Sequence, residues 1–206
     1  MSGEPTLGDV TLGFSSLVER VPHIAVPADA ADAEVLIVTQ HRGDGPAVVA
    51  VPKPLEGRAR VISLDSVGVA KSRNAALDNA SRRYLLFSDD DIVIRPDGVL
   101  EAARILAESG AAIALARAED ERGVLRKNYP DGIVPLKLTN SAKAATYEML
   151  VDVEQLRAAG VRFDERFGAG VTNYLGDEYI VIADALRAGL KGLSVPVVVA
   201  THPVES

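Results

Sequence analysis

Ser88-Asp89-Asp90-Asp91 follows directly on the apolar run Tyr84-Leu85-Leu86-Phe87. In an extended segment, side chains two apart point the same way, so Asp89 and Asp91 converge on one point while Asp90 faces away. Two carboxylates so close repel each other. The repulsion is relieved by raising one pKa or by seating a cation between them, and a hard divalent ion with oxygen ligands suits the place. Ligands of open α/β sheets bind beyond the carboxyl ends of strands, where this triplet stands. A solvated acidic turn is the plain alternative.

Asp65-Ser66-Val67-Gly68-Val69-Ala70-Lys71-Ser72-Arg73-Asn74 reads as a turn running into a helix. Its Lys71-Ser72 pair invites a phosphate-loop reading, but that loop needs glycines where Asp65 and Ala70 stand, which argues against a nucleoside triphosphate hydrolase. Gly68 permits a tight turn, and Arg73 and Asn74 are in position to reach a nucleotide lying over the strand ends. A solvated basic helix face is the structural alternative. Gly176-Asp177-Glu178 opens another helix. Carboxylates are favoured there by the helix dipole and by unpaired N–H groups, so Asp177 reads as a cap, while Glu178 is the candidate to take a hydroxyl proton as general base. Thr201-His202-Pro203 ends the last apolar run. An imidazole at a strand end is a good metal ligand, although a lone histidine near a terminus is more often a surface residue. His23 and His41 have no such context.

The elements that must hold these groups alternate in type. Short β-rich runs are expected at Val10–Phe14, Glu34–Thr39, Arg60–Leu64, Tyr84–Phe87 and Ala112–Ala116, separated by segments of helical period, which is the pattern of a layered α/β sheet. Val69–Ala80 carries Val69, Ala76, Leu77 and Ala80 on one helical face. Pro96 suits a first turn and Gly110 the residue after the last, so a second helix runs to Ser109. The stretch 119–141 holds Gly123, Pro130, Gly132 and Pro135 among charged residues and reads as a loop or hairpin, the candidate for a mobile lid. Beyond it, Glu148–Val153 reads as a strand, Glu154–Ala159 as a short helix and Asp177–Ala188 as a longer one. Leu193–Ala200 is the last strand, made irregular or placed on an edge by Pro196.

Composition narrows the classes. A chain of 206 residues with 48% hydrophobic side chains builds one sizeable core and is short for two ordinary domains. The single domain divides into halves at 1–118 and 119–206. A net charge of −7 with scattered Lys and Arg argues against nucleic acid or an anionic membrane as partner. With no cysteine there is no disulfide, thiolate site or cysteine nucleophile, and any metal is held by oxygen or imidazole. No run approaches the roughly 18–20 apolar residues of a membrane span, and Met1–Val10 lacks the regions of a signal peptide, so a cytoplasmic protein is the simplest reading.

Taken in order, these pieces resemble the family-2 glycosyltransferases of GT-A fold, over nearly the whole chain. The residues that carry the resemblance are the strand Glu34-Val35-Leu36-Ile37-Val38, the Gly-x-x-x-x-Arg-Asn helix opening from Gly68 to Asn74, and the aspartate motif Phe87-Ser88-Asp89-Asp90-Asp91. Phe163-Asp164-Glu165-Arg166-Phe167-Gly168 and the acidic pair Asp177-Glu178 complete it. The resemblance implies a mostly parallel central sheet flanked by helices and an inverting transfer of sugar from a nucleotide-diphosphate donor, with a UDP-sugar expected, to a hydroxyl acceptor. That acceptor is a saccharide, a lipid-linked saccharide or another small molecule, and cell-surface polysaccharide or glycoconjugate synthesis is one setting. It further implies Arg73, Asn74, Asp89, Asp90 and Ser15 around the donor, and Mn²⁺ or Mg²⁺ held by Asp89, Asp91 and His202. The family usually has Glu-Asp where this chain has Asp177-Glu178, so the base is Glu178 by position and Asp177 by residue type; Glu178 is the choice made here. The second strand commonly ends in an aspartate that reads the nucleobase, whereas this one ends Val38-Thr39-Gln40 and the next acid is Asp44. The sequence stops four residues after His202, without the C-terminal extension many relatives use, which a partner or a longer chain would supply. Closure of 119–141, with Arg126 and Lys127 meeting the diphosphate, is expected to exclude water. Two other classes stay open: a sugar-nucleotide pyrophosphorylase, which needs a Gly-rich basic loop where Leu12-Gly13-Phe14-Ser15-Ser16 stands, and a non-catalytic binding module. A homo-oligomer is compatible with all of these.

Overall fold

The computed structural model of the chain describes residues 3–41 and 49–203; Asp44 lies outside the described residues. Its strands are β1 (Val10–Leu17), β2 (Glu34–Gln40), β3 (Ala59–Leu64), β4 (Tyr84–Asp89), β5 (Val93–Ile94), β6 (Ile113–Glu119), β7 (Val134–Pro135), β8 (Met149–Asp152) and β9 (Gly192–Thr201). Its α-helices are α1 (Val69–Asn79), α2 (Pro96–Ser109), α3 (Val153–Ala158) and α4 (Asp177–Arg187). One sheet joins all the strands in the order β3-β2-β1-β4-β8-β6-β9-β5, with β7 also paired to β9. The β3-β2-β1-β4 part is parallel, as successive β-α-β units require. β8 then runs antiparallel between β4 and β6, while β6 and β9 are parallel again. Most of the paired length is therefore parallel, and the antiparallel β8 is where the two halves of the chain are stitched together.

Alternation along the strands sorts the core into two layers. Leu12, Phe14, Val35, Ile37, Tyr84 and Leu86 face one side with Val99, Ala102, Ala103 and Leu106 of α2. Leu36, Val38, Leu85 and Phe87 face the other with Ala70, Ala76 and Leu77 of α1, Leu156 of α3, and Val181, Ile182 and Ala185 of α4. A sheet buried on both faces explains why its strands read as nearly continuous apolar runs. Helix α2 begins on Pro96 and is closed by Gly110 in the left-handed conformation (φ 66°), the punctuation expected of it. Its backbone comes so close to β9 at Gly98 that a Cβ there would lie 1.8 Å from the Val198 carbonyl oxygen.

One local expectation changes and a second is narrowed to one of its two alternatives. Asp177 is not the cap of α4: Gly176, at φ 98°, holds the N-cap position and Asp177 is the first helical residue, because the chain enters through a left-handed turn that glycine tolerates. The stretch 119–141 is more structured than a bare loop. It turns tightly, with Asp120 N–H donating to the Val124 carbonyl (2.8 Å) and Arg126 N–H to that of Ala118 (3.0 Å), then lays β7 along β9. β9 itself shifts register between Ser194 and Val198, around Pro196, as a strand interrupted by proline must.

Candidate active site

The parallel strands β1, β2 and β4 end together, and beyond their carboxyl ends lies a cavity of about 740 Å³. Sheet register sets its floor: Ser15 of β1 stands opposite Asp89 of β4, and both line the cavity. Asp90, Asp91 and His202 line it too, the last brought by the end of β9. Gly68, Val69 and Ser72 at the start of α1 form another side, so the positive end of a helix dipole borders the space.

The aspartate triplet divides its work, though not by strict alternation, because β4 stops at Asp89 and the next two residues turn. Asp90 is the sequestered one. It accepts the Ser16 hydroxyl (2.7 Å) and the Arg20 Nε (2.7 Å), and is 7% exposed. Asp91 is open, its side chain 44% exposed and 3.5 Å from an Arg20 terminal nitrogen. Burial raises the Asp89 carboxyl above its ordinary range; Arg73 opposes the shift, and the charges of Asp91, Asp90 and Glu178 add to it. A site that crowds negative charge in this way gains from a cation.

Arg73 and Asn74 are placed differently from the expectation that they reach the donor directly. Neither lines the cavity. Asn74 is clamped to the backbone of Phe163, donating to its carbonyl and accepting its N–H, both at 2.9 Å, and also donates to Glu165 (3.2 Å). It therefore fixes the Phe163–Gly168 segment against α1. Arg73, 6% exposed, pairs with Asp177 and lies 3.4 Å from Glu178, with its guanidinium 5.7 Å from the Phe163 ring centroid. Asp177 is buried beside it. Glu178 accepts the Thr146 hydroxyl at 2.8 Å through the same oxygen, Oε1, that meets Arg73. Burial pushes the Asp177 carboxyl up to about 6, with Arg73 opposing and Glu178 repelling. Against the cost of its own burial, Arg73 and the Thr146 hydroxyl hold Glu178 below the usual carboxylate range. Gly168 lies between Val69 of α1 and Asp177: a Cβ there would touch both Val69 and the Asp177 carboxyl, at 2.8 and 2.9 Å.

Lys127 is likewise committed elsewhere. It pairs at 2.6 Å with Glu148, which is fully buried and also accepts the Tyr129 hydroxyl at 2.6 Å. Arg126 reaches the Pro203 carbonyl at 3.5 Å. Several cavity residues escaped the motif reading. Arg20 lies in a 3-10 turn after β1 with no motif to mark it, whereas Gln40 and His41 carried a usable signal, their place at the carboxyl end of β2. Gln40 donates its amide to the Gly68 carbonyl (3.0 Å), tying β2 to the opening of α1, and His41 stands 3.9 Å from Asp65.

The comparison with known proteins bears on the whole of this arrangement. The description Glycosyl transferase family 2 matches residues 16–165, from the end of β1 through the aspartate triplet to the Phe163–Glu165 segment. The chain belongs to that family. Among curated proteins none matches the sequence. In solved structures the GT-A fold recurs in S. aureus TarS, with a TM-score of 0.66 at 16% identity over 95% of this chain and 36% of that one. TarS residues 1–349 in complex with UDP superpose with a TM-score of 0.64 at 16% identity, covering 95% of this chain and 60% of that one. The complex with UDP-GlcNAc gives 0.60 at 15% identity, covering 96% and 59%. This family-2 chain thus spans between about a third and three-fifths of the chains it resembles.

The residues present fit a divalent cation in chemistry: the Asp89 and Asp91 carboxylates and the His202 imidazole line one cavity whose acids repel each other. Among the described residues no three such side chains already converge as a ready-made cage. Small hard cations commonly take only one or two protein carboxylates and complete their shell with substrate phosphate oxygens and water. No described helix is long and apolar enough to cross a membrane.

Proposed function

We propose that the chain is a metal-dependent, inverting glycosyltransferase that moves a sugar from a nucleotide-diphosphate donor, a UDP-sugar first among candidates, to the hydroxyl of an acceptor. The single observation that carries this reading is an open, acid-floored cavity at the strand ends together with the Arg73-Asp177-Glu178 cluster, which does not line that cavity but whose Arg73 and Glu178 charges act on its Asp89. The TarS complexes with UDP and UDP-GlcNAc, on the same fold, support the choice of donor class. Family membership sets aside the pyrophosphorylase alternative.

In this reading the donor lies over the carboxyl ends of β1, β2 and β4, with Ser15 and the start of α1 along it and Gln40 and His41 beside the base. Asp89, Asp91 and His202 would hold Mn²⁺ or Mg²⁺, which when bound neutralises charge on the departing diphosphate. Glu178 takes the proton of the acceptor hydroxyl as its oxygen attacks the anomeric carbon from the face opposite the leaving group. Arg73 favours the ionised form of that carboxylate. The transition state has oxocarbenium character, one displacement inverts the anomeric centre, and no covalent sugar intermediate is needed.

The test is a panel of nucleotide sugars screened by thermal shift with and without Mn²⁺, followed by transfer and donor hydrolysis assays on the best binder. A true donor stabilises the folded state by mass action, and turnover separates an enzyme from a binding module. No shift with any nucleotide sugar, in either condition, sinks the reading.

A further inference from the structure

The 3-10 turn Thr146–Glu148 touches three otherwise separate parts of the molecule through three consecutive residues. Thr146 donates to Oε1 of Glu178 at 2.8 Å. The Tyr147 ring lies against the His202 imidazole, their centroids 5.1 Å apart. Glu148 accepts from Lys127 and from Tyr129, both of which belong to the stretch 119–141, and Lys127 also donates to the Lys143 carbonyl. Tyr129 is in turn fixed to β6, receiving the Ala118 N–H at 3.1 Å. A buried carboxylate is costly unless paired, so Glu148 holds the turn to its two partners.

We propose that Thr146 is a positioning residue for Glu178, and that the grip of Lys127 and Tyr129 on Glu148 sets where Thr146 stands. The proposal rests on the reading of Glu178 as the acceptor base. A glutamate has three side-chain torsions, and as the second residue of α4 Glu178 could swing among several rotamers. Its contacts with Thr146 and with Arg73 both fall on Oε1. This anchors Oε1 and leaves Oε2, which neither of those groups holds, to take the proton of an incoming hydroxyl. Arg73 alone is the weaker guide, because at 3.4 Å it is shared with Asp177. The stretch 119–141 thereby acts on the base through a turn rather than by contact with the donor, which accounts for Lys127 being spent on Glu148.

The experiment is a double-mutant comparison on the full chain, reading kcat and donor KM for sugar transfer. Thr146→Val is expected to lower kcat by about 10-fold or more, in the range that misplacing a reacting group costs, with donor KM nearly unchanged. Thr146→Ser, which keeps the hydroxyl, should recover most of the loss. In a Glu178→Gln background Thr146→Val should cost nothing further, because the group it aims is gone. Tyr129→Phe, which removes one donor to Glu148, should lower kcat in the same direction by less; it carries the same comparison if Thr146→Val does not fold. An unchanged kcat in Thr146→Val, or an equal fall with and without Glu178, overturns the proposal. Failure of the base assignment shows separately, as a Glu178→Gln enzyme that turns over like the wild type.

Discussion

Asp91 at the end of β4 and Asp177 at the start of α4 are both carboxylates of the candidate site, yet they live under opposite conditions. The Asp91 side chain is 44% exposed, and the Arg20 beside it is itself 46% exposed. Asp177 and its partner Arg73 are 3% and 7% exposed, and their neighbour Glu178 is tied to Thr146 as well. The strand-end acids form an unfinished shell, repelling each other and open to the cavity. The helix-side acids form a closed one, held by the protein through the Arg73 they share and, for Glu178, the Thr146 hydroxyl. The contrast matches two tasks: a ligand that brings its own phosphates needs charge left over, whereas a base must already be aimed when the acceptor arrives.

Replacing Glu178 by Gln should break the finished side most sharply. Turnover is expected to fall by roughly 10²-fold or more, the span for loss of a general base, while donor affinity stays nearly intact. Steady-state kinetics together with donor titration read both quantities. If Asp177→Asn produces that pattern and Glu178→Gln does not, the two carboxylates exchange roles.

The unfinished side should fail in binding instead. Asp91→Ala removes an exposed acid and is expected to leave the melting temperature of the free protein almost unchanged. It should abolish the metal-dependent part of the thermal shift given by the nucleotide sugar, whose whole stabilisation at 100 times the dissociation constant corresponds to about 2.7 kcal/mol. A variant that keeps that shift would remove Asp91 from the cation site.

A third change tests whether the contrast belongs to the site or to the stability of the sheet as a whole. Gly98→Ala puts a methyl group 1.8 Å from the Val198 carbonyl, backbone against backbone, where no flexible side chain can yield. Overpacking of this kind costs about 1–3 kcal/mol, and at this chain length each kcal/mol lowers the melting temperature by about 2–4 °C. Calorimetry measures it. Because β9 carries His202, any functional loss should appear in donor binding and not in turnover at saturating donor; the reverse result would unite the two sides.

The same contrast governs what could be read from the sequence. β1, β2 and β4, with α1 and α2, were legible because strands buried on both faces leave continuous apolar runs and because Pro96 and Gly110 mark the ends of α2, whereas the edge strand β3 was legible from its β-rich run alone. The aspartate triplet and His202 were placed beside one cavity by strand-end logic alone. The short strands β5 and β7 were not legible, since two residues carry no periodicity. Arg73 and Asn74 were assigned to the donor because a basic and an amide side chain at a helix opening suit an anion. The partners that claim them, Asp177 and Phe163, lie 104 and 89 residues away, and such pairing is invisible in local pattern. Arg20, Thr146 and Glu148 were missed for the same reason: each acts through a contact distant in sequence.

The finer distinction concerns pH. An aspartyl carboxyl in an unfolded chain ionises near 3.9, whereas burial pushes that of Asp177 up to about 6 in the folded one, against the pull of Arg73 and with the repulsion of Glu178. The folded state therefore holds this proton more tightly, so the contribution of Asp177 to stability is full below about pH 4 and is lost as pH rises toward about 6. Glu178 has the opposite sign, its carboxyl being lowered: its contribution is present above the ordinary glutamate range and is lost only as pH falls through the lowered value. Between about pH 4 and 6 the Asp177 contribution is thus the one that changes. The difference in melting temperature between the wild type and Asp177→Asn should move in favour of the variant across that window, since asparagine has no proton to lose. A constant difference for Asp177→Asn would mean that this carboxyl ionises as easily inside the fold as outside it, and the charge of Arg73 would then suffice for both acids at once.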